Sequence, residues 1–301
     1  MRARAGIEVR DEVPLIVIRG AGDLATGIAH RLYRSGFKVV MTELAEPLAI
    51  RRTVSFSEAV AQGSTEVEGI TARKVASASE VLRVLRAGVI PVLVDPDGSH
   101  IPELAPDALV DARMAKRNLG TRLSDAPVVI GLGPGFTAGE DVHAVIETNR
   151  GHNLGRVILQ GGAEPDTGVP GEIAGRSSER MVRAAATGRF TPRREIGETV
   201  RAGEILGEID GQAVTAPIDG VLRGLIRAGT LVTTGLKIGD VDPRAVREHC
   251  FTISDKGRAL GGAVLEAILF FRAASRLGQP GLEAERFRRR SAGGSRRRPE
   301  T

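Results

Sequence analysis

The apolar positions of residues 14–43 follow the pattern of a strand, a helix and a second strand. Pro14–Arg19 is a short β-branched run, as is typical of strands buried on both faces of a parallel sheet. Lys38–Thr42 is a second run of this kind. Between them, apolar side chains recur at helical spacing, at Leu24, Ile28 and Leu32. The pattern therefore predicts a β-α-β unit with a buried parallel strand pair.

The same alternation continues to about residue 165. Ser79–Arg86 is predicted to be a helix, and Asp141–Thr148 also has helical character. Further buried strands are predicted at Val89–Val94, Ala108–Asp111 and Val128–Ile130. Alternating strands and helices indicate an open, mostly parallel sheet with helices on both faces. We therefore expect residues 1–165 to form a Rossmann-like α/β domain.

Residues 166–242 change character, because short strands there are separated by glycines. The segment resembles the biotinyl and lipoyl barrel-sandwich domains, with matching turns at Thr199–Gly203 and Ala216–Gly220. Those domains carry a modified lysine on a hairpin tip, but Asp210–Gln212, the matching turn here, has no lysine. Lys237 is the only lysine of the segment. We expect a small barrel-sandwich β domain that carries neither biotin nor lipoate.

The C-terminal part divides into a helical segment and a charged tail. Residues 243–275 read as helical, with Ser254 as an N-cap, and we expect this segment to pack back on the sheet. Residues 276–301 hold eight arginines and three glutamates, which accounts for the whole net charge of +5. The tail has almost no apolar content and is predicted to be disordered. The rest of the chain is neutral, and no nucleic-acid-binding fold is indicated.

Composition and apolar patterning limit the cellular compartment in which the protein is expected to work. A single cysteine excludes an internal disulfide and a cysteine-based zinc cluster, and it fits a reducing compartment. The N-terminus lacks an apolar signal region, and the most apolar late segment, residues 261–271, is too short to span a bilayer. We expect a soluble, cytoplasmic protein without a membrane partner.

The turn after the first strand matches a dinucleotide-binding motif. Gly20 allows the tight turn, Gly22 lets the backbone approach a phosphate, and Ala25 lets the helix pack closely. Glu43 stands where a ribose-binding acid is expected. Asp23 faces the phosphate position, where it would repel an anion, so it either takes part in the chemistry or only caps the helix.

A second glycine-rich loop follows the predicted strand at Val128–Ile130. Glycines between a strand and a following helix often form an anion site, and those of this loop are Gly131, Gly133 and Gly135. Several side chains after it carry candidate chemistry: His143, Glu147, Arg150, His152 and Arg156. His143 and Glu147 would share one helix face, as a metal pair or, more often at this spacing, as a surface hydrogen-bonded pair. Cys250 is a further candidate, as a buried hydrophobe or as an activated thiol.

Several phrases of the chain, taken together, resemble one family. They include IRGAGDLATGIAHRL (18–32), GLGPGFTAGEDVHAVIETNRGHNLGRVI (131–158) and ISDKGRALGGAVLEAIL (253–269). The chain thus resembles the YqeB-type accessory proteins of the selenium-dependent molybdenum hydroxylase system. The resemblance implies a cytoplasmic maturation factor whose nucleotide-fold portion is similar to the factors that insert molybdenum cofactor into xanthine dehydrogenase. It implies no catalytic residues.

Three functions remain open from the sequence. The first is an accessory protein that binds an anionic ligand of molybdopterin type for an apo-hydroxylase. In that function both glycine loops share the ligand, and nearby arginines neutralise it: Arg19, Arg51, Arg52, Arg150 and Arg156. The second is an NAD(P)-dependent oxidoreductase with Glu43 on the ribose and His143 or His152 as general acid. The third is a docking scaffold. A homo-oligomer is left open, no metal ligand set is predicted, and both Asp23→Ala and Gly133→Val are expected to fold.

Overall fold

A nine-stranded sheet organises the first part of the chain in the computed structural model, which describes residues 13–168 and 171–276. Its strands are β1 Leu15–Arg19, β2 Lys38–Glu43, β3 Ser64–Val67, β4 Ile70–Val75, β5 Ile90–Val94, β6 Ala108–Asp111, β7 Val128–Leu132, β8 Ala144–Ile146 and β9 Val157–Ile158. The spatial order is β3-β4-β5-β2-β1-β6-β7-β8-β9. Seven central strands are parallel, and β3 and β9 pair antiparallel at the two edges. The predicted mostly parallel sheet is confirmed.

Helices cover both faces of this sheet. They are α1 Asp23–Arg34, α2 Glu58–Gln62, α3 Ala78–Arg86, α4 Ile101–Leu104 and α5 Asp255–Arg276. Residues of α1, α2 and α5 share one core with one face of the sheet, whereas α3 and α4 contribute to the core on the other face. Strand residues alternate between these two cores, so Ile16 and Ile18 face one and Val17 faces the other. Burial on both sides explains why the strands are continuous apolar runs.

Two four-stranded antiparallel sheets form the second part. Their strands are β10 Met181–Arg183, β11 Gly188–Pro192, β12 Thr199–Val200, β13 Ile205–Ile209, β14 Gln212–Thr215, β15 Gly220–Leu225, β16 Leu231–Val232 and β17 Lys237–Asp242. The orders are β10-β17-β15-β12 and β14-β13-β11-β16, and residues of both sheets share one apolar core around Phe190. Asp210 and Gly211 make the two-residue hairpin turn between β13 and β14, both with positive φ. The predicted hairpin turn at this position is confirmed.

The last helix returns to the large sheet and crosses α1 at very short range. A Cβ on Gly27 would lie 2.9 Å from the carbonyl of Gly257, and a Cβ on Gly261 would lie 2.9 Å from the carbonyl of Gly27. Glycines therefore set the distance between α1 and α5. Ser254 caps α5 as predicted, because its Oγ accepts the N–H of Gly257 at 3.1 Å.

A short segment after β2 joins the two parts of the molecule. The N–H of Leu225 in β15 donates to the carbonyl of Ile50 at 2.8 Å, and Nε of Arg52 donates to the carbonyl of Leu225 at 2.7 Å. The buried Arg51 donates to the carbonyls of His249 and Thr252. These bonds attach residues 50–52 to both the β15 sheet and the segment before α5.

Two secondary-structure predictions were wrong. Asp141–Thr148 contains β8 rather than a helix, because the buried run Ala144–Ile146 pairs with β7 and extends the sheet. His143 and Glu147 thus lie at opposite ends of a strand and share no helix face. Residues 243–254 are not part of the long helix and instead contain a 3-10 turn at Arg247–Cys250.

The arginine-rich tail lies outside the described residues. No helix of the described ranges is long and apolar enough to cross a bilayer.

Candidate functional site

A pocket lies where the strand order of the large sheet reverses. The chain passes from β1 to β2 on one side and later returns to β6 on the other, so the loops after β1 and β6 leave in different directions. Ligands of open α/β sheets gather at this point, outside the carboxyl ends of the strands. A cavity of about 430 Å³ occupies it, with walls from the loops after β1, β2, β5 and β6. The fold thus places the predicted glycine turn in a ligand-sized pocket.

The two glycines of the turn have different structural needs. Gly20 has a φ of +97°, and a Cβ there would lie 3.2 Å from the carbonyl oxygen of Ala112. The fold therefore requires glycine at this position. Gly22 has a φ of −66°, and a Cβ there would meet no atom within 4 Å. Neither backbone conformation nor packing requires glycine at position 22, and this N-cap position would accept Ser, Asn or Asp at least as well, but Gly22 lines the open pocket.

The helix α1 begins at this pocket without a side-chain cap. Gly22 is its N-cap residue, and Asp23 is its first helical residue, so the interpretation of Asp23 as a cap was wrong. Asp23 instead accepts a hydrogen bond from the guanidinium of Arg51 at 3.2 Å. The first backbone N–H groups of a helix lack intrahelical partners. They are available to a ligand here, and the ion pair offsets the carboxylate charge beside them.

Glu43 lies at the tip of β2 and contacts the glycine turn. Its Oε2 accepts the N–H of Ala21 at 2.8 Å, and its Oε1 accepts the N–H of Leu44 at 2.8 Å. Burial raises the pKa of Glu43, and the two backbone hydrogen bonds oppose that shift. A carboxylate oxygen has two acceptor directions, so each oxygen retains capacity for a ligand hydroxyl. The N–H of Ala21, however, is no longer free for an anion.

Exposed leucines surround the mouth of this pocket. Leu44, Leu48 and Leu119 are each more than 40% exposed although they are large apolar residues. Met114 adds a further apolar wall. These residues lie in the loops after β2 and β6, where the strand pattern had ended and sequence reasoning had singled out nothing. The feature of the sequence that could have indicated these residues is the presence of large apolar side chains in loops that begin at strand ends.

Arg19 lies close to this pocket but is engaged in a buried network. It is 3% exposed and donates to Oγ1 of Thr121 at 3.1 Å and to the carbonyl of Pro96 at 3.4 Å. The hydroxyl of Thr121 in turn donates to Asp111. Desolvation is the main cause of a lowered pKa for Arg19. Arg19 therefore ties β1 to the loops after β5 and β6, and it is not free to neutralise a ligand.

The second glycine loop is filled by its own neighbours. A Cβ on Gly131 would lie 2.5 Å from the ring of Phe136, and one on Gly133 would lie 2.6 Å from Oγ1 of Thr148. A Cβ on Gly135 would lie 2.5 Å from Cα of Arg117. None of the three glycines lines the pocket at the first turn. The expectation that both loops share one ligand was therefore wrong, as was the expectation that Gly133→Val folds normally.

The two candidate histidines lie apart from the pocket. His143 accepts the N–H of Val129 through Nδ1 at 3.0 Å and packs edge-on against Phe271. Burial lowers the pKa of His143. His152 is exposed in the turn after β8. The structure therefore does not bring either imidazole to the glycine turn.

The remaining candidates are also separated from the pocket. Arg150 forms two hydrogen bonds to Asp255, at 2.6 and 2.7 Å, which hold the pKa of that carboxyl well below its usual range. Arg156 is exposed. Cys250 is fully buried, and burial raises the pKa of its thiol. A buried thiol with a raised pKa favours the interpretation of Cys250 as a small hydrophobe. No cluster of metal-ligating side chains occurs among residues 13–168 and 171–276.

Together, these features define a two-part α/β protein with a pocket at the switch point of a mostly parallel sheet. No family model matches the chain. The chain is 51% identical over 255 residues to a protein of Escherichia coli K12 named "Uncharacterized protein YqeB". The alignment covers 85% of this chain and 47% of that protein, so the chain spans about half the length of this relative.

Solved structures give only distant matches. A succinylglutamate desuccinylase from a Silicibacter species aligns at 13% identity over 76% of this chain and 84% of that one, with a TM-score of 0.23. A succinylglutamate desuccinylase/aspartoacylase from Rhodobacter sphaeroides aligns at 14% identity over 76% and 85%, with a TM-score of 0.22. Scores this low support no argument about fold or function.

Proposed function

We propose that this protein is an accessory factor that holds a phosphorylated heterocyclic ligand in the switch-point pocket and passes it to a partner enzyme. The observation that carries this proposal is Gly22. It is a glycine without a conformational or packing reason, at the uncapped start of α1 and in the wall of the cavity. A backbone that a ligand must approach closely explains the absence of a side chain there.

The pocket supplies three kinds of contact that suit such a ligand. Exposed apolar residues at its mouth, Leu44, Leu48 and Leu119, suit the faces of a flat ring. The carboxylate of Glu43 suits a hydroxyl or ring N–H donor, and the free N–H groups at the start of α1 suit a phosphate. A cavity of about 430 Å³ lies within the range of small-molecule sites.

The resemblance to YqeB-type proteins suggests the ligand class and the partner. We propose a ligand of molybdopterin type, which combines a heterocycle with a phosphate, and an apo form of a selenium-dependent molybdenum hydroxylase as the recipient. We further propose that residues 181–242 are a barrel-sandwich domain of the biotinyl and lipoyl type that contributes to docking. The 51% identity to the Escherichia coli protein supports the resemblance, but not this role.

An NAD(P)-dependent oxidoreductase is the competing function, and the position of Glu43 favours it. Hydride transfer to or from a carbonyl usually needs a nearby general acid or base. No histidine is among the described residues that line the pocket, and both predicted histidines lie elsewhere. We therefore rank ligand carriage above dehydrogenation.

The ligand itself is tested by extraction. The full chain is made in a host that matures such hydroxylases, and bound small molecules are released by denaturation and analysed by mass spectrometry and for molybdenum. We expect a phosphorylated pterin in wild type. A nicotinamide dinucleotide in its place would establish the competing function.

Gly22→Val provides the matched test of the site. The φ of −66° and the empty space around Gly22 allow a side chain, so the variant should fold but fill the pocket mouth. Gly262→Val is the control, because a Cβ on Gly262 in α5 also meets nothing within 4 Å. We expect Gly22→Val to lose the ligand and hydroxylase activation at least tenfold, and Gly262→Val to retain both. Equal retention in the two variants would refute the proposal.

A further inference from the structure

Lysine is rare in this chain, and three of its five lysines interact electrostatically with Asp23 or with one another. Only five of the 42 basic residues are lysines: Lys38, Lys74, Lys116, Lys237 and Lys256. Lys38 and Lys74 are exposed on the large sheet. Lys116, Lys237 and Lys256 belong to three distant segments, namely the loop after β6, strand β17 and the first turn of α5.

We call Lys116, Lys237 and Lys256 the lysine cluster. The first turn of α5, which carries Lys256, packs on α1 one turn after Asp23, because a Cβ on Gly27 would lie 2.9 Å from the carbonyl of Gly257. Asp23 lines the switch-point pocket and interacts electrostatically with both Lys237 and Lys256. Lys256 also interacts with Lys116, which directly follows the pocket-lining Ala115. None of the three lysines is among the residues that line the pocket, and the cluster lies beside the pocket-lining Asp23, where α1 begins.

Most of the charged groups in and around the cluster already have a partner of opposite charge. Asp23 pairs with Arg51, and Arg150 pairs with Asp255. Lys116 lies 3.1 Å from Asp166, and Lys237 lies 3.7 Å from Asp240. Asp240 is also bound by the buried side chains of Arg180 and Arg223.

Lys256 differs from all of these groups. Across residues 13–168 and 171–276, no carboxylate or carbonyl forms an ion pair or hydrogen bond with its ammonium, although the side chain is partly buried. Desolvation, followed by the charges of Lys116 and Arg150, lowers the pKa of Lys256 to about 8, and the carboxylates of Asp23 and Glu147 oppose this shift. A partly desolvated ammonium that makes no hydrogen bond is unfavourable, and a bound anion would offset that cost.

We propose that the lysine cluster binds an oxyanion, a phosphate or pyrophosphate group, at the edge of the switch-point pocket. This inference rests on the proposed function in one respect: the oxyanion is the charged end of the carried ligand. Lysine suits the task because its ammonium is a compact charge with three donors that adapt to a tetrahedral group. The site exists only when the two sheets are assembled, because Lys237 belongs to the second.

Titration of the full chain with sodium pyrophosphate tests the site. Calorimetry at pH 7 and low salt compares wild type with Lys256→Met, Lys38→Met and Lys74→Met. Methionine leaves no orphaned partner at position 256, so the variant should fold. We expect at least a tenfold loss of pyrophosphate affinity in Lys256→Met and less than a twofold change in the two control variants. Unchanged affinity in Lys256→Met, or an equal loss in all three variants, would overturn the proposal.

A labelling experiment gives a second measurement that does not depend on a variant. Wild type is acetylated with and without pyrophosphate, and each lysine is followed by mass spectrometry. We expect pyrophosphate to protect Lys256 and to leave Lys38 and Lys74 unprotected. Uniform protection or none would contradict the site.

Together, the pyrophosphate titration and the ligand extraction distinguish failure of the lysine cluster from failure of the proposed carrier function. Lys256-dependent pyrophosphate binding without any extracted heterocyclic ligand would leave the lysine cluster standing and remove the proposed carrier function. If a phosphorylated heterocycle is extracted and Lys256→Met retains it at wild-type level, the lysine cluster is removed and the proposed carrier function stands. Leu48→Asn, which alters only the apolar rim, should weaken the heterocycle and leave pyrophosphate affinity unchanged.

Discussion

The two glycine loops of the large sheet look alike in sequence but differ in what surrounds them. The turn at Gly20–Gly22 opens into a cavity of about 430 Å³, whereas the loop at Gly131–Gly135 is packed against Phe136, Thr148 and Arg117. Both follow buried parallel strands, and the strands are separated only by β6. A glycine-rich loop can therefore bind a ligand only when the rest of the chain leaves it unfilled.

Removal of the side chain that fills the second loop should have the largest effect. Phe136 is 7% exposed and packs in the core of the α3 face. Phe136→Ala should cost about 4 kcal/mol in unfolding free energy, as for other large-to-small core changes. Denaturant unfolding measures this cost. Pyrophosphate affinity should not increase, and a new binding site in this variant would show that only Phe136 distinguishes the loops.

Gly135→Ala should have the next largest effect. The φ of +103° disfavours any L side chain, and the new Cβ would overlap the Arg117 backbone. Strain and overpacking together predict a loss of about 3 kcal/mol. The control is Gly22→Ala, whose unfolding free energy should fall by only about 1 kcal/mol, the cost of alanine at a helix N-cap. Similar losses at both positions would erase the structural distinction between the loops.

The pH dependence of pyrophosphate binding sharpens the comparison at the open turn. The ammonium of Lys256, whose pKa is about 8, is charged below that pH and neutral above it. Pyrophosphate affinity in wild type should therefore fall as pH rises from 7 to 9. The groups that face Lys256 are Lys116, Arg150, Asp23 and Glu147. Lys256→Met should show a flatter profile, and identical profiles would exclude Lys256 as the titrating group.

The smallest expected effect is the change in melting temperature that Lys256→Met causes. The folded pKa of Lys256 lies below that of an unfolded lysine, so the unfolded chain binds more protons between about pH 8 and pH 10. The lysine therefore destabilises the fold at pH 7, and the penalty disappears as pH rises through this window. Lys256→Met should raise the melting temperature by about 2–4 °C at pH 7, for roughly 1 kcal/mol after solvent screening. A lower melting temperature would indicate a structural role.

Local patterns in the sequence predicted much of the fold. The strands of the first β-α-β unit, the helix at residues 78–86 and the hairpin turn at Asp210 were recognisable, because periodicity and turn chemistry act over a few residues. The prediction failed at β8, where the three-residue run Ala144–Ile146 was too short for its period to be read and pairing with β7 determined its conformation.

The candidate site was only half predictable. Gly20, Gly22 and Glu43 were found from their spacing, since the turn and the acid belong to one β-α-β unit. The apolar rim and the lysine cluster were missed, because Leu48, Lys237 and Lys256 carry no motif. Rarity of lysine was the one signal in the sequence, and it gives no position in space.

Neighbouring residues along the chain specify the alternation of strands and helices, the glycine turn after the first strand and the hairpin tip without a lysine. Long-range packing alone explains why the first glycine loop is open, why the second is filled and why Lys237 and Lys256 both interact with Asp23. The physical reason is the distance along the chain over which each effect acts. Backbone preference and periodicity are set by neighbours along the chain, whereas free volume and electrostatic potential depend on segments far apart in it, as with Arg51 and Thr252, which are 201 residues apart and hydrogen-bonded.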